Sequence, residues 1–342
     1  MINCGNHSRN LSFLILIAIV LFIASTLTPV VQATPPSPEL EALLRANGTL
    51  DQLAAKLNAA REKGFFAPGD ALSDRKGSSG MAQSFSAEEP DTFRVIVILA
   101  DFDDKPASGG LIYGLKEDFE QLLFSFDNYD THYSMSEFYR DNSYGGFIMI
   151  GDVVGWYRMP EDYAYYVNAN YGFSSYPTNA QHLAEDALLM ADDDVDFSLY
   201  DNDGNGYIDG VFIIHSGLGA EQTGRDYDIW SHNSGLHSSL YLDGVTATQY
   251  SMEPEENSSS GLVTMGVFAH EYGHTLGLPD LYDTDYSTDG IGYWSIMAGG
   301  SWGSNGARPS YFDAWCKYQL GFVEPTNIIS NQLDVEIGRA HV

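Results

Sequence analysis

Cysteine is nearly missing from this sequence: of 342 residues, only Cys4 and Cys316 carry a thiol. Cys4 precedes an apolar run that reads as an export signal. Cys316 is then left without a partner, which excludes an internal disulfide in the mature chain. An exported chain without disulfides needs another staple, and bound calcium is a reasonable substitute. Basic residues are scarce too. Lys and Arg total 16 against 47 Asp and Glu, for a formal charge of −31. That excludes nucleic acid as a partner, because its phosphates would be repelled. Such acidity suits a soluble exported protein and calcium binding, although most of the carboxylates must form a solvated surface. With 44% hydrophobic residues the chain can bury a sizeable core, and its length suggests roughly two domains.

The N-terminus has the order of a signal peptide. Arg9 gives a weakly positive start, Leu11–Leu27 is almost wholly apolar, and Val31-Gln32-Ala33 forms a small-residue cleavage site before Thr34-Pro35-Pro36. The competing reading is an uncleaved anchor helix. Its apolar run of about 17 residues lies at the lower edge for spanning a bilayer, so cleavage is favoured. Residues 1–33 are read as the signal peptide, with a secreted, extracellular product and no stable membrane association afterwards. At the other end, Glu336-Ile337-Gly338-Arg339-Ala340-His341-Val342 reads as a translated sequencing adapter. The expectation is that 336–342 is non-native and that the natural protein continues.

The chemistry concentrates in His270–Asp280, His-Glu-Tyr-Gly-His-Thr-Leu-Gly-Leu-Pro-Asp. Residues i and i+4 of a helix share a face. His270 and His274 can therefore present two imidazoles to one zinc ion, and Glu271 can reach a water beside it. Gly277 lets the chain leave the helix and turn back. The bland alternative, two surface histidines, conflicts with the apolar approach Leu262, Val263, Met265, Val267, Phe268 and Ala269. A second absence bears on the third ligand: no glutamate occurs between Glu271 and Glu324, and Glu324 precedes Pro325. That excludes the zinc-protease class that takes a glutamate from a later helix. Asp280 is the better candidate. Its rivals are Asp283 and Asp285, in which case Asp280 orients His274. Catalytic zinc keeps three protein ligands and an open position. Glu271 then serves as general base to the attacking water and returns the proton to the leaving amine.

Asp201-Asn202-Asp203-Gly204-Asn205-Gly206-Tyr207-Ile208-Asp209 is a second constellation. Oxygens of Asp201, Asp203, Asn205 and Asp209, with the Tyr207 carbonyl, follow the alternate spacing of a calcium loop. Phe212 stands where an EF-hand has its closing glutamate, so this is not an EF-hand. A plain Asx-rich turn is the alternative. Asp283, Asp285 and Asp289 form another acidic loop. His215, alone at a strand end, reads as a core histidine.

Helical spacing of Leu40, Leu43, Leu44, Leu50, Leu53, Ala54 and Leu57 predicts one or two amphipathic helices, broken near Asn47-Gly48. A Gly-, Ser- and Pro-containing linker follows through Glu89. Residues 34–90 are therefore read as a prosegment and linker, with an accessory hairpin as the alternative. The block contains no cysteine to obstruct a metal; Asp70 or Asp74 could do so. Strands are expected at Phe93–Asp101, Phe147–Tyr157 (a strand or a hairpin), Gly210–Ser216, Ile229–His232 and Val245–Ser251, the last two as a wall for an extended substrate. The segment up to Ser260 reads as a loop. Helices are expected at Lys116–Phe126, Met135–Arg140, Thr178–Asp192 and Phe312–Leu320, with a loop over Tyr163–Tyr176.

These residues resemble the metzincin zinc proteases, and most of all the M6 peptidases, the immune inhibitor A-like secreted proteases. His270–Asp280 matches the extended motif, with aspartate where most metzincins have a third histidine. Trp294-Ser295-Ile296-Met297-Ala298-Gly299-Gly300-Ser301-Trp302 resembles the family's methionine turn, with Met297 beneath the metal. Pro309–Lys317 with Leu320-Gly321, Ser143-Tyr144-Gly145 and Gly155-Trp156-Tyr157 resemble further family blocks. The resemblance implies an α/β (α+β) catalytic domain, placed at 91–330. It further implies a twisted mixed sheet with helices in an upper subdomain, an active-site helix, an irregular lower subdomain after the methionine turn, and structural calcium. Several metzincins carry a tyrosine two residues past that methionine, where this chain has Gly299, so Tyr311 is taken as the candidate oxyanion partner. The reading is a secreted zinc metalloendopeptidase made as a zymogen. It needs one catalytic Zn2+ and structural Ca2+, cleaves proteins or peptides, and is inhibited by its own prosegment. The alternative is a non-catalytic calcium-binding surface or adhesion protein with a relict zinc site.

Overall fold

The structure, a computed structural model, describes residues 33–65, 71–72, 84–108, 114–126, 133–259, 261–326 and 328. The signal-peptide core, Asp70, Asp74 and the 336–342 tail lie outside the described residues. From residue 33 onward the chain forms one compact unit.

Two helices come first, α1 (Pro38–Asn47) and α2 (Leu50–Glu62). The Ser37 hydroxyl accepts from the Leu40 N–H to cap α1, and Gly48 ends it in the left-handed region at φ 67°. The break is therefore where Asn47-Gly48 predicts it. The main body follows as β1 (Asp91–Asp101), α3 (Lys116–Phe124), α4 (Met135–Asn142), β2 (Phe147–Arg158), α5 (Tyr163–Val167), α6 (Ala180–Ala191), β3 (Val211–Leu218), α7 (Ala220–Thr223), β4 (His232–Leu242), β5 (Val245–Asn257), β6 (Gly261–Leu262), α8 (Met265–Thr275) and α9 (Ala314–Gln319).

The sheet order is β2-β1-β3-β5-β4, with β6 beside the end of β5. β1 pairs parallel with β2 and β3, β3 pairs parallel with β5, and β4 runs antiparallel at the edge. Parallel strands covered on both faces need apolar residues throughout, which is why Val95–Ala100 is buried without alternation. Val95, Val97 and Leu99 face α8 through Phe268, Ala269 and Tyr272. Ile96, Ile98 and Ala100 face α6 through Leu183, Ala184 and Ala187. A third core joins Leu40, Leu50, Leu53 and Leu57 of the N-terminal helices to Phe173, Trp230 and Ala298.

Three expectations need correction. Ile229–Ser231 precedes the strand, and β4 runs on from His232 to Leu242. β5 continues through the supposed loop to Asn257. The residues His232–Leu242 lack a β-branched run, so the strand is carried by its pairing to β5 rather than by local preference. Tyr163–Val167, expected as loop, is a short helix. No helix among the described residues is long and apolar enough to cross a membrane.

Candidate metal centre and the segment that covers it

Every residue of α8 is buried, so the helix needs close approach on all sides. Gly266 and Gly273 supply it. A side chain at Gly266 would meet the backbone carbonyls of Ser301 and Gly306, and one at Gly273 would meet the Met297 sulfur at 2.5 Å. The helix ends at Gly277, whose φ of 94° is in the left-handed region. The turn that follows brings Asp280 back to the helix, and the Leu281 N–H donates to the Met297 carbonyl at 2.7 Å.

The two histidines and Asp280 converge. His270 Nε2 lies 3.0 Å and His274 Nε2 3.3 Å from Asp280 Oδ1, and the two Nε2 atoms are 3.1 Å apart. His270 Nδ1 donates to the Ile296 carbonyl at 2.7 Å and His274 Nδ1 to the Leu278 carbonyl at 2.8 Å. These bonds fix the tautomers and leave both Nε2 lone pairs aimed at one point. Two lone pairs and a carboxylate oxygen meeting in a buried place repel one another unless a cation lies between them. A tetrahedron with Zn–N and Zn–O bonds of about 2.0–2.1 Å has edges of roughly 3.3 Å, close to the spacings seen. The donor set therefore fits zinc. Neither Asp283 nor Asp285 joins it. Asp283 accepts from Ser287 and Thr288 of its own loop, and these bonds hold its pKa well below the usual range.

Burial raises the Glu271 pKa, tempered by the histidines. Burial alone would also raise Asp280, but His274 and His270 outweigh it and lower it. For His270 burial acts downward, and the hydrogen bond and charge of Asp280, with the Glu271 charge, override it and raise its pKa while no metal is bound. Glu271 is not among the converging ligands. Its Oε1 accepts from the Thr34 N–H and the Thr34 hydroxyl, both at 2.6 Å, and its Oε2 has no hydrogen-bond partner among the described residues.

Thr34 belongs to a stretch that runs through the site. The Ala33 N–H donates to Asp280 Oδ2 at 3.0 Å, and Ala33 bridges antiparallel to His232 at the start of β4. Successive carbonyls are then taken by aromatic donors. Tyr282 Oη donates to Ala33 O at 2.9 Å, Trp230 Nε1 to Thr34 O at 2.8 Å, and Trp302 Nε1 to Pro35 O at 2.9 Å. Arg61 of α2 lies buried within hydrogen-bonding reach of Tyr282 and close to Asp280. Ala33-Thr34 thus lies against Asp280 and Glu271, and its only sequence signal is a cleavage site followed by Pro35-Pro36; Asp70 and Asp74 lie outside the described residues.

Tyr311 is not brought to the triad. Its hydroxyl lies 3.2 Å from that of Tyr133 and 3.4 Å from Asp141 Oδ2, and its ring packs on Phe138. Met297 packs against Gly273 of α8, where an added side chain would meet its sulfur. His215 is a core histidine, with Nδ1 donating to Ser216 O at 3.1 Å; burial pushes its pKa down to about 3.

In the acidic loop, Asp201, Asp203 and Asp209 bring carboxylate oxygens within 4.8 Å of one another. Asp201 accepts from the N–H groups of Gly204, Asn205 and Gly206, and Asn205 Oδ1 from the Tyr207 N–H, all at 2.9–3.0 Å. Burial, with the Asp203 and Asp201 charges, pushes Asp209 up to about 7, against the N–H donated by Asn202. Clustered like charges of this kind favour a cation.

A family model described as immune inhibitor A peptidase M6, catalytic domain, matches residues 83–322. The chain is 32% identical over 279 residues to the pre-pro-metalloprotease PrtV of Vibrio cholerae serotype O1, covering 67% of this chain and 30% of that protein. It is 33% identical over 267 residues to immune inhibitor A of Bacillus thuringiensis subsp. alesti, covering 64% of this chain and 38% of that protein. It thus spans about a third of the length of these relatives.

Proposed function

Because the chain belongs to the immune inhibitor A peptidase M6 family, we propose that it is a secreted zinc-dependent endopeptidase, made as a latent precursor whose N-terminal segment fills its own cleft. The observation that carries this reading is the buried convergence of His270, His274 and Asp280, with Glu271 beside them and outside the ligand set. His270, His274 and Asp280 hold the metal, and the Ile296 and Leu278 carbonyls keep each imidazole in the ligating tautomer. Zinc, when bound, supplies Lewis acidity toward a water and a carbonyl. Glu271 accepts the proton of the attacking water and delivers it to the leaving nitrogen. Met297 forms the floor of the site, in the position of a methionine turn.

Latency is supported by Thr34, whose N–H and hydroxyl both occupy Glu271; Ala33 reaches Asp280 only while the signal peptide is attached. Cleavage of the signal peptide after Ala33 would make the Thr34 nitrogen the new terminus, still at Glu271. The test follows casein hydrolysis by the precursor before and after limited proteolysis between α2 and β1. Hydrolysis is expected only after the cut, and it should vanish with a zinc chelator and return with Zn2+. Zinc-loaded, trimmed protein that leaves casein intact would refute the peptidase reading in favour of a binding protein with a relict site.

The Asp201–Asp209 loop is proposed to hold structural calcium through Asp201, Asp203, Asn205, Asp209 and the Tyr207 carbonyl. Saturation at about 100 times Kd stabilises by about 2.7 kcal/mol, which corresponds to a rise in Tm of roughly 5–10 °C. Thermal unfolding at constant zinc should show that rise in the wild type and lose it in Asp201→Ala. A wild-type Tm indifferent to calcium would count decisively against the site.

A further inference from the structure

The geometry points to Tyr282 as the catalytic residue that donates a hydrogen bond to the scissile carbonyl oxygen as it becomes an oxyanion, a role for which sequence reading had chosen Tyr311. The inference rests on the peptidase reading above and adds a residue to it.

With the signal peptide still attached, the Ala33–Thr34 peptide bond crosses the site as a substrate bond would, and it is held at both of its reacting ends. Its nitrogen lies 2.6 Å from Glu271 Oε1, the carboxylate that returns a proton to a leaving amine. Its carbonyl oxygen, on Ala33, receives the Tyr282 hydroxyl at 2.9 Å. A peptide placed in this way presents its carbonyl carbon between the general base and a phenol donor. Attack of water on that carbon turns the double-bonded oxygen into an oxyanion. The water proton passes to Glu271 and then to the nitrogen as the carbon–nitrogen bond breaks. Tyr282 transfers no proton; its O–H bond stays intact while its hydrogen bond strengthens with the charge on the oxygen.

Three features make this arrangement transferable from Ala33-Thr34 to a substrate. The next two carbonyls are held by Trp230 and Trp302, so the register along the cleft is set by three donors in succession. Each of these bonds goes to backbone, so another sequence can occupy the same track. Tyr282 is itself placed by elements that stay after trimming: it lies two residues beyond Asp280 on the turn tied to Met297, and its ring stacks on Tyr286 with centroids 6.1 Å apart. Arg61, its other neighbour, departs with the prosegment. Tyr311 has its hydroxyl committed to Asp141 and Tyr133.

The experiment compares wild type and Tyr282→Phe, both trimmed and zinc-loaded, on a fluorogenic peptide. Removing one oxyanion donor lowers kcat by about 10²–10³-fold. KM should stay within a few-fold, with zinc content and Tm unchanged. Affinity for a phosphinic peptide, which mimics the tetrahedral state, should fall in parallel with kcat/KM. Tyr311→Phe, as a control, should leave kcat nearly intact. An active wild type with an unchanged kcat in Tyr282→Phe overturns the inference, as does a loss confined to KM, which would make Tyr282 a clamp on bound peptide. Loss of zinc in the variant overturns it too, by assigning Tyr282 to the metal shell. An inactive zinc-loaded wild type would instead defeat the underlying peptidase reading.

Discussion

Glu271→Ala should keep its zinc and lose casein hydrolysis, with kcat falling by about 10²–10⁴-fold, the share expected of general acid–base catalysis. The side chain is wholly buried, yet the metal ligands converge without it, so its removal spares the zinc shell. What disappears is the carboxylate that accepts from the nitrogen of the Ala33–Thr34 bond. Zinc stoichiometry and peptide turnover measured on one trimmed sample decide the matter. Full zinc with more than a tenth of wild-type turnover would remove Glu271 from the mechanism. Its loss also deletes both Thr34 contacts, so the same variant should hold its N-terminal segment more loosely, visible as faster proteolysis between α2 and β1.

Gly266→Ala should destabilise the fold, against the ordinary helical preference. Alanine inside a helix gains about 1 kcal/mol over glycine. Here the added methyl would meet the carbonyls of Ser301 and Gly306, the latter at 2.9 Å, and both are backbone atoms that cannot swing aside. The Gly266 N–H already donates to Gly306 O at 2.9 Å, so the helix cannot withdraw without breaking that bond. Overpacking typically costs about 1–3 kcal/mol, and the upper end applies when backbone meets backbone. A net loss of about 2 kcal/mol corresponds to a Tm lower by roughly 4–8 °C. Zinc content should drop with it, since the helix would shift. Gly273→Ala makes the informative contrast: its obstacle is the flexible Met297 thioether, so the loss should be smaller. Calorimetry of both variants gives the order. A Gly266→Ala protein as stable as wild type would mean that α8 has room it is not expected to have.

The convergence of His270, His274 and Asp280 is legible because its geometry is local. His270 and His274 are one helical turn apart, and Gly277 with Asp280 completes a return of six residues; elimination of a later glutamate did the rest. The buried strands were equally legible, since Val95–Ala100 can be nothing but doubly covered. Two things were hidden. β4 carries His, Ser, Asn and Gly that state no strand preference, and it exists because β5 offers it a partner. The role proposed for Tyr282 depends on where a chain more than 240 residues earlier is laid, and no spacing records that. Tyr311 failed for the converse reason: its neighbourhood resembled a family block, but a hydroxyl's direction is set by its acceptor, and Asp141 lies the other way.

If the N-terminal segment is the inhibitor proposed above, the aromatic donors over Thr34-Pro35 have a consequence for competition. They recognise backbone alone, so they cannot favour one occupant over another by side chain. What favours the resident segment is its attachment to α1 and α2, which share a core with Trp230 and Ala298. Tethering of this kind holds a ligand at an effective concentration of the order of millimolar. A substrate present at micromolar levels then occupies only about a thousandth of the precursor, even if its intrinsic affinity is equal. Detaching the tether, without altering a single contact in the cleft, turns the same segment into an ordinary peptide that dilution carries away.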